Sequence, residues 1–158
     1  KTIFVCGNGG SAAIAEHFVC DHQKLLDTTK KYKPRVTSLS SNLPLITALA
    51  NDVGYSKIFS EQLRYNFLPG DILFVISASG NSPNIIEALK FANKNQISTI
   101  SFTGFNGGKA KKISNINIHC KSFNYGIVEM MHHNYMNIVA QYLRQKVLST
   151  SELKKTFF

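Results

Sequence analysis

The chain has 158 residues, enough for one domain with a real core, and its 44% apolar and 17% charged composition is that of a globular rather than a disordered protein. No apolar run is long enough to span a bilayer, and no charged start is followed by a small-residue cleavage site, so membrane and secreted readings lose ground. The formal net charge of +9 would suit nucleic acid or a small anionic substrate alike, but the lysines are dispersed and no recognition motif accompanies them, which sets nucleic acid aside.

Three cysteines, Cys6, Cys20 and Cys120, make neither a disulfide framework nor a Cys-x-x-Cys metal knuckle, and point to a reducing compartment. Along the chain, Thr2–Cys6 is a short apolar run ending in Gly7-Asn8-Gly9-Gly10-Ser11, which predicts a buried strand and a glycine-rich turn. A helix is expected from Ala12 to about Lys24, a strand at Val36–Leu39, and a helix capped by Ser41 or Asn42 and running to about Asn51. After the turn Asp52-Val53-Gly54, residues Ser56–Asn66 read as helix. Pro69-Gly70-Asp71 launches Ile72–Ile76, apolar on both faces as a central parallel strand is. Asn84–Asn95 has its apolar residues at helical spacing. A strand at Ser98–Phe102, a short helix at Ala110–Ile113, a strand at Ile116–His119 and a long helix from Gly126 to about Val147 complete the order. Residues 1–150 read as one domain, and Ser151–Phe158 as a short basic tail that frays. Alternating short strands and helices predict a doubly wound parallel sheet, a flavodoxin-like three-layer α/β/α fold. Ligands in such sheets bind beyond the carboxyl ends of the strands.

Two polar turns each follow a buried strand and open a helix. One is Gly7-Asn8-Gly9-Gly10-Ser11. The other is Ser77-Ala78-Ser79-Gly80-Asn81-Ser82-Pro83-Asn84, with hydroxyls at Ser77, Ser79 and Ser82. Inward-turned backbone N–H groups, helix N-termini and serine hydroxyls hold a phosphate without a lysine. The first turn lacks the G-x-G-x-x-G spacing of dinucleotide sites and the second lacks the P-loop lysine, so a monophosphate fits best. Ordinary turns with capping serines are the competing account.

Gly7-Asn8-Gly9-Gly10-Ser11-Ala12-Ala13 with His17, the serine-rich turn after Pro69-Gly70-Asp71, Ala50-Asn51-Asp52-Val53-Gly54-Tyr55, and Thr103-Gly104 with Gly107-Gly108-Lys109 together resemble the sugar isomerase (SIS) domain family, and within it the phosphoheptose isomerases. The likeness runs nearly end to end. It implies a cytoplasmic bacterial enzyme converting sedoheptulose 7-phosphate to a D-glycero-D-manno-heptose 7-phosphate for lipopolysaccharide or capsule precursors. It implies a homotetramer, and an N-terminal helix ahead of the first strand that this chain is expected to lack. Ser11, Ser77, Ser79 and Ser82 would hold the phosphate, and Asn8, Gly9 and Gly10 would line the sugar end. Asn42 stands where the family often has an Asp that meets the sugar hydroxyls.

The family works with a His and a Glu four apart on the first helix and a Gln and a His eight apart on the last, a set that binds zinc in many members. Here the first pair is His17 and Asp21. The direct alignment puts Val128 and Met136 at the second pair, and neither can move a proton or hold zinc. At about 100° per residue, positions 128 and 136 lie roughly 80° apart with 132 midway. His132 is therefore expected to face His17 and Asp21 as acid/base, the three being the candidate ligands if zinc binds. A module that binds a phosphosugar or a replication-initiation protein without catalysis is the alternative, motivated by Val128 and Met136. His22 and His133 are expected either to be solvated or to stand behind the site residues, Gln62 to lie on the surface rather than to reach a neighbouring subunit's cleft, and Glu129 either to pair with a nearby Lys or His or to sit in the site.

Overall fold

Five short segments rich in β-branched and aromatic residues form strands β1 (Thr2–Gly7), β2 (Arg35–Ser38), β3 (Ile72–Ser77), β4 (Ser98–Thr103) and β5 (Ile116–His119). The structure is a computed structural model and describes residues 1–155. All neighbouring strands run parallel, in the order β2-β1-β3-β4-β5. The intervening chain forms helices α1 (Gly10–Cys20), α2 (Leu43–Asp52), α3 (Ile58–Asn66), α4 (Pro83–Lys94), α5 (Gly108–Ile113), α6 (Tyr125–Gln145) and α7 (Thr150–Leu153).

Strand periodicity divides the core between two faces. Phe4 and Cys6 of β1 and Leu73 and Val75 of β3 pack under Leu49, Phe59, Leu63, Ile85, Leu89 and Ala110, so α2 to α5 cover that side. The alternate residues Val5, Phe74 and Ile76 pack with Phe102 against Ile14 and Phe18 of α1 and Met136 of α6 on the other side. Central strands buried on both faces have no polar alternation, as Ile72–Ile76 shows. The start of β1 is pinned by Asp71, buried at 1% exposure, whose carboxylate accepts from the Thr2 and Leu68 amides at 2.7 and 2.8 Å.

The expected fold is the observed one, with three local differences. The helix expected from Ala12 to Lys24 ends as α1 at Cys20 and continues as a π-helical turn, Asp21–Leu25. The Nδ1 atom of His22 lies 3.0 Å from the Phe18 carbonyl, the acceptor that an α-helix would offer to residue 22's own N–H. The helix expected from Ser56 opens as a 3-10 turn at Tyr55–Lys57, after Gly54 at φ 95°. The tail holds one ordered turn: Ser149 and Glu152 make a capping box that starts α7. The rest of the predicted tail, residues 156–158, lies outside the described residues.

Candidate active site

After β1 the chain turns to one face of the sheet as α1, and after the adjacent β3 it turns to the other as α4. The strand order therefore reverses between β1 and β3, and a crevice opens at their carboxyl ends. A pocket of about 300 Å³ lies there. Asn8, Gly9, Gly10 and Ser11 line it from one turn, and Ser77, Ser79 and Ser82 from the other. Seven of the residues expected to bind substrate thus share one pocket. Among the described residues lining it, none is a lysine or arginine.

The helix starts decide between ligand cradle and ordinary cap. Asn42 and Asn124 cap α2 and α6 through their side chains. By contrast α1 opens at Gly9 and α4 at Ser82 with no side-chain cap bond. At α1 the Ser11 and Ala12 amides turn back to the Asn8 and Gly9 carbonyls, and at α4 Pro83 has no N–H and the Ile85 amide bonds Asn84 Oδ1, so the Gly10 and Asn84 amides are the ones open to an anion, reinforced by helices of 11 and 12 residues. Asn42 itself is exposed, with its side-chain oxygen accepting the Leu45 amide at 3.1 Å, and it is absent from the pocket wall. The cap role expected of it is observed, and the structure does not bring it to the pocket with the other seven residues.

The serine turn is held from behind by the loop after β4. Gly104 N–H donates to the Ala78 carbonyl at 2.8 Å, and Ala110 N–H to that of Gly80 at 2.9 Å. Gly108, at φ 55°, lies so close that an added Cβ would meet the Ser79 oxygen at 2.5 Å. The two substrate turns are joined to each other by Asn8 and Asn84, whose amides exchange hydrogen bonds, while the Tyr55 hydroxyl donates to Asn8 Oδ1 at 3.0 Å.

The sequence profile of the SIS domain family matches residues 1–104. A probable phosphoheptose isomerase of Thermoplasma acidophilum is 37% identical over 145 residues, 91% of this chain and 79% of that protein. The phosphoheptose isomerase of Aliarcobacter butzleri is 37% identical over 88% of this chain and 73% of its own length. The solved phosphoheptose isomerase GmhA of Neisseria gonorrhoeae superposes with a TM-score of 0.84 at 30% identity, covering 91% of this chain and 76% of its own. The chain belongs to the SIS domain family.

In this SIS domain α1 and α6 meet along a polar seam beside the pocket. His17 Nε2 lies 3.2 Å from Asp21 Oδ1, so that expected pair is assembled. The third member is not His132. Its ring is fully buried against Phe102, with centroids 5.7 Å apart. Neither ring nitrogen has a hydrogen-bond partner among the described residues. The Thr103 carbonyl favours its charged form without reaching it in bonding geometry, and burial outweighs this and pushes the pKa down, with His119 adding to the lowering. The histidine that does face the pair is His133, its ring 4.5 Å from that of His17 in an edge-on contact. One turn on, Asn137 donates to Asp21 Oδ2 at 3.3 Å.

The cause is helix phase. Val128, His132 and Met136 do share a face, but that face is wholly buried and looks at the sheet. The row one residue on, Glu129, His133 and Asn137, looks at α1. The pair eight apart that faces the first helix is therefore Glu129 and Asn137, not Val128 and Met136. Glu129 and Tyr125 also line the pocket between β1 and β3; the signal that could have found this row is its run of polar residues at i, i+4 and i+8.

Other expectations need correction as well. His22 is 2% exposed and stacks on Phe18 rather than being solvated, and Gln62 is 4% exposed with its amide donating to the Leu39 carbonyl at 2.9 Å. Burial drives the Cys6 thiol far above its ordinary range, as an inert core residue requires. Zinc does not fit the set named for it. His132 is withdrawn into the core, His17 and Asp21 hold each other, and among the described residues no three His, Cys, Asp or Glu side chains gather to hold a metal.

Proposed function

We propose that this protein is a phosphoheptose isomerase converting sedoheptulose 7-phosphate to a D-glycero-D-manno-heptose 7-phosphate. The observation that carries the reading is the pocket between β1 and β3, where two uncapped helix starts and the hydroxyls of Ser77, Ser79 and Ser82 converge. It is supported by relatives named phosphoheptose isomerase along most of the chain. The phosphate would bind to the amides and serines, with Asn8, Gly9 and Gly10 against the sugar. This remote binding energy positions the carbonyl carbon for proton transfer. His17 and Asp21 are the pair carried by α1, and they hold His133 and Asn137 of α6 in place.

The catalytic groups differ from the family pattern by carrying Asp for Glu at position 21 and by the row Glu129, His133 and Asn137 on α6. The binding-only alternative is not favoured by relatives named phosphoheptose isomerase along most of the chain. The exposed apolar side chains Met130, Ile138 and Tyr142 on α6 support self-association, in a homotetramer of single SIS domains spanning residues 1–150. Among the described residues no helix is long and apolar enough to cross a membrane. A cytoplasmic role in lipopolysaccharide or capsule precursor synthesis follows from the same reading. Incubation with sedoheptulose 7-phosphate, followed by detection of the aldose product, tests it. No turnover with or without added zinc would overturn it.

A further inference from the structure

We propose that Glu129 is the base that takes the carbon-bound proton, with His133 serving the oxygens. The proposal rests on the isomerase reading above. Among the described residues lining the phosphate pocket, Glu129 is the one carboxylate. It also lines an adjoining cavity of about 360 Å³, which it shares with His133. It thus stands where the sugar end of a bound phosphosugar leaves the serine turn. Asp21, the other carboxylate of the seam, lines neither cavity and is engaged by His17 and Asn137.

Gly10 makes room for this placement. It is helical, so its backbone tolerates any residue, but an added Cβ would lie 2.5 Å from Glu129 Oε2. The missing side chain is the seat of the carboxylate. Asn137, an amide, cannot exchange protons at neutral pH, which leaves Glu129 and His133 as the titratable members of the row on α6.

The step balances without a co-reactant. The C1–H bond of the ketose breaks and its proton passes to the Glu129 carboxylate. The released pair forms the C1–C2 double bond, and the carbonyl pair moves to O2, which takes a proton from the His133 imidazolium. The enediol collapses when O1–H returns its proton to His133. The C1–O1 double bond then forms, and C2 takes the proton from the Glu129 carboxylic acid.

The experiment measures kcat and KM for sedoheptulose 7-phosphate and competitive inhibition by inorganic phosphate, for the wild-type protein, Glu129→Gln and Gly10→Ala. Glu129→Gln is expected to lower kcat about 10³-fold while phosphate inhibition stays within about threefold. Gly10→Ala, which pushes the carboxylate aside without removing it, is expected to lower kcat at least tenfold. Glu129→Gln activity within tenfold of wild type would overturn the proposal. So would a loss confined to KM and phosphate affinity, which would make Glu129 a mere occupant of the helix N-terminus. An inactive wild-type protein that still binds phosphate would overturn the isomerase reading itself and this proposal with it, a failure the wild-type control tells apart.

Discussion

Asn8 and Asn84 exchange two side-chain hydrogen bonds, each 2.9 Å long, across the gap between the turn after β1 and the turn after β3. Asn84 is fully buried and its Oδ1 also accepts the Ile85 amide. Two turns that are 76 residues apart in the chain are thereby held at one spacing, on either side of the pocket proposed to hold the phosphate.

Asn84→Ala leaves the Asn8 amide and the Ile85 N–H without this partner. It is expected to cost about 1–3 kcal/mol and to raise KM more than it lowers kcat. Asn84→Asp keeps the acceptor but sets a carboxylate oxygen against Asn8 Oδ1 at a fully buried position, so it is expected to cost at least as much. Urea unfolding and steady-state kinetics on the same samples check both.

Ser82 separates a cap from a ligand. Because its side chain makes no cap bond, Ser82→Ala is expected to change stability by less than about 0.5 kcal/mol while raising KM roughly tenfold, the loss of one charge-assisted bond. Asn124→Ala, which removes a working cap from α6, is expected to cost about 1 kcal/mol instead. If Ser82→Ala matches Asn124→Ala in stability and leaves KM alone, the serine is only a cap.

Three histidines are held neutral by their surroundings. Burial lowers the pKa of His22, His119 and His132; Lys111 and Lys121 lower His119 further, and the Phe18 carbonyl and Asp21 partly offset the effect at His22. Unfolding frees each ring to return to about 6.5, so the unfolded chain binds more protons. Stability is therefore fully present above about pH 6.5 and is lost as pH falls below it toward the lowered native values. Denaturant midpoints at pH 7.5 and 5.5 check the direction. His132→Leu is expected to flatten the dependence and to keep kcat at pH 7.5, since the ring has no bonding partner and lies off the pocket.

Gly108→Ala places a Cβ against the Ser79 and Gly80 carbonyls from a left-handed backbone. The expected cost is about 2–4 kcal/mol, with KM raised because the serine turn must shift. A midpoint equal to wild type would mean that the loop after β4 does not brace the serine turn.

The two phosphate turns could be read from sequence because each is local: a buried strand, then glycine and serine, then a helix. The parallel, doubly wound character of the sheet followed from apolar strands alternating with amphipathic helices. The orientation of α6 was not accessible in the same way. Periodicity gives the 3.6-residue repeat but leaves open which row meets the sheet, and a histidine between Val128 and Met136 invited a chemical reading. Packing chose the row that also contains Ala140, whose small side chain lets the helix approach the core. Gln62 and His22 are buried for a related reason, since a polar side chain with a backbone carbonyl to bond can be buried at little cost. Asn42, named from the resemblance, lies at the start of α2 and outside the pocket wall, a placement that the family pattern alone does not give.

Helix α6 has no idle side. Rows four residues apart, each about 100° from the next, meet the sheet at Val128, His132 and Met136, the first helix at Glu129, His133 and Asn137, and the outside at Met130, Ile138 and Tyr142. Tolerance to substitution along it will be rhythmic rather than graded. Successive positions will report in turn on folding, on turnover and on assembly, so a scan of one helix would distinguish the three by beat alone.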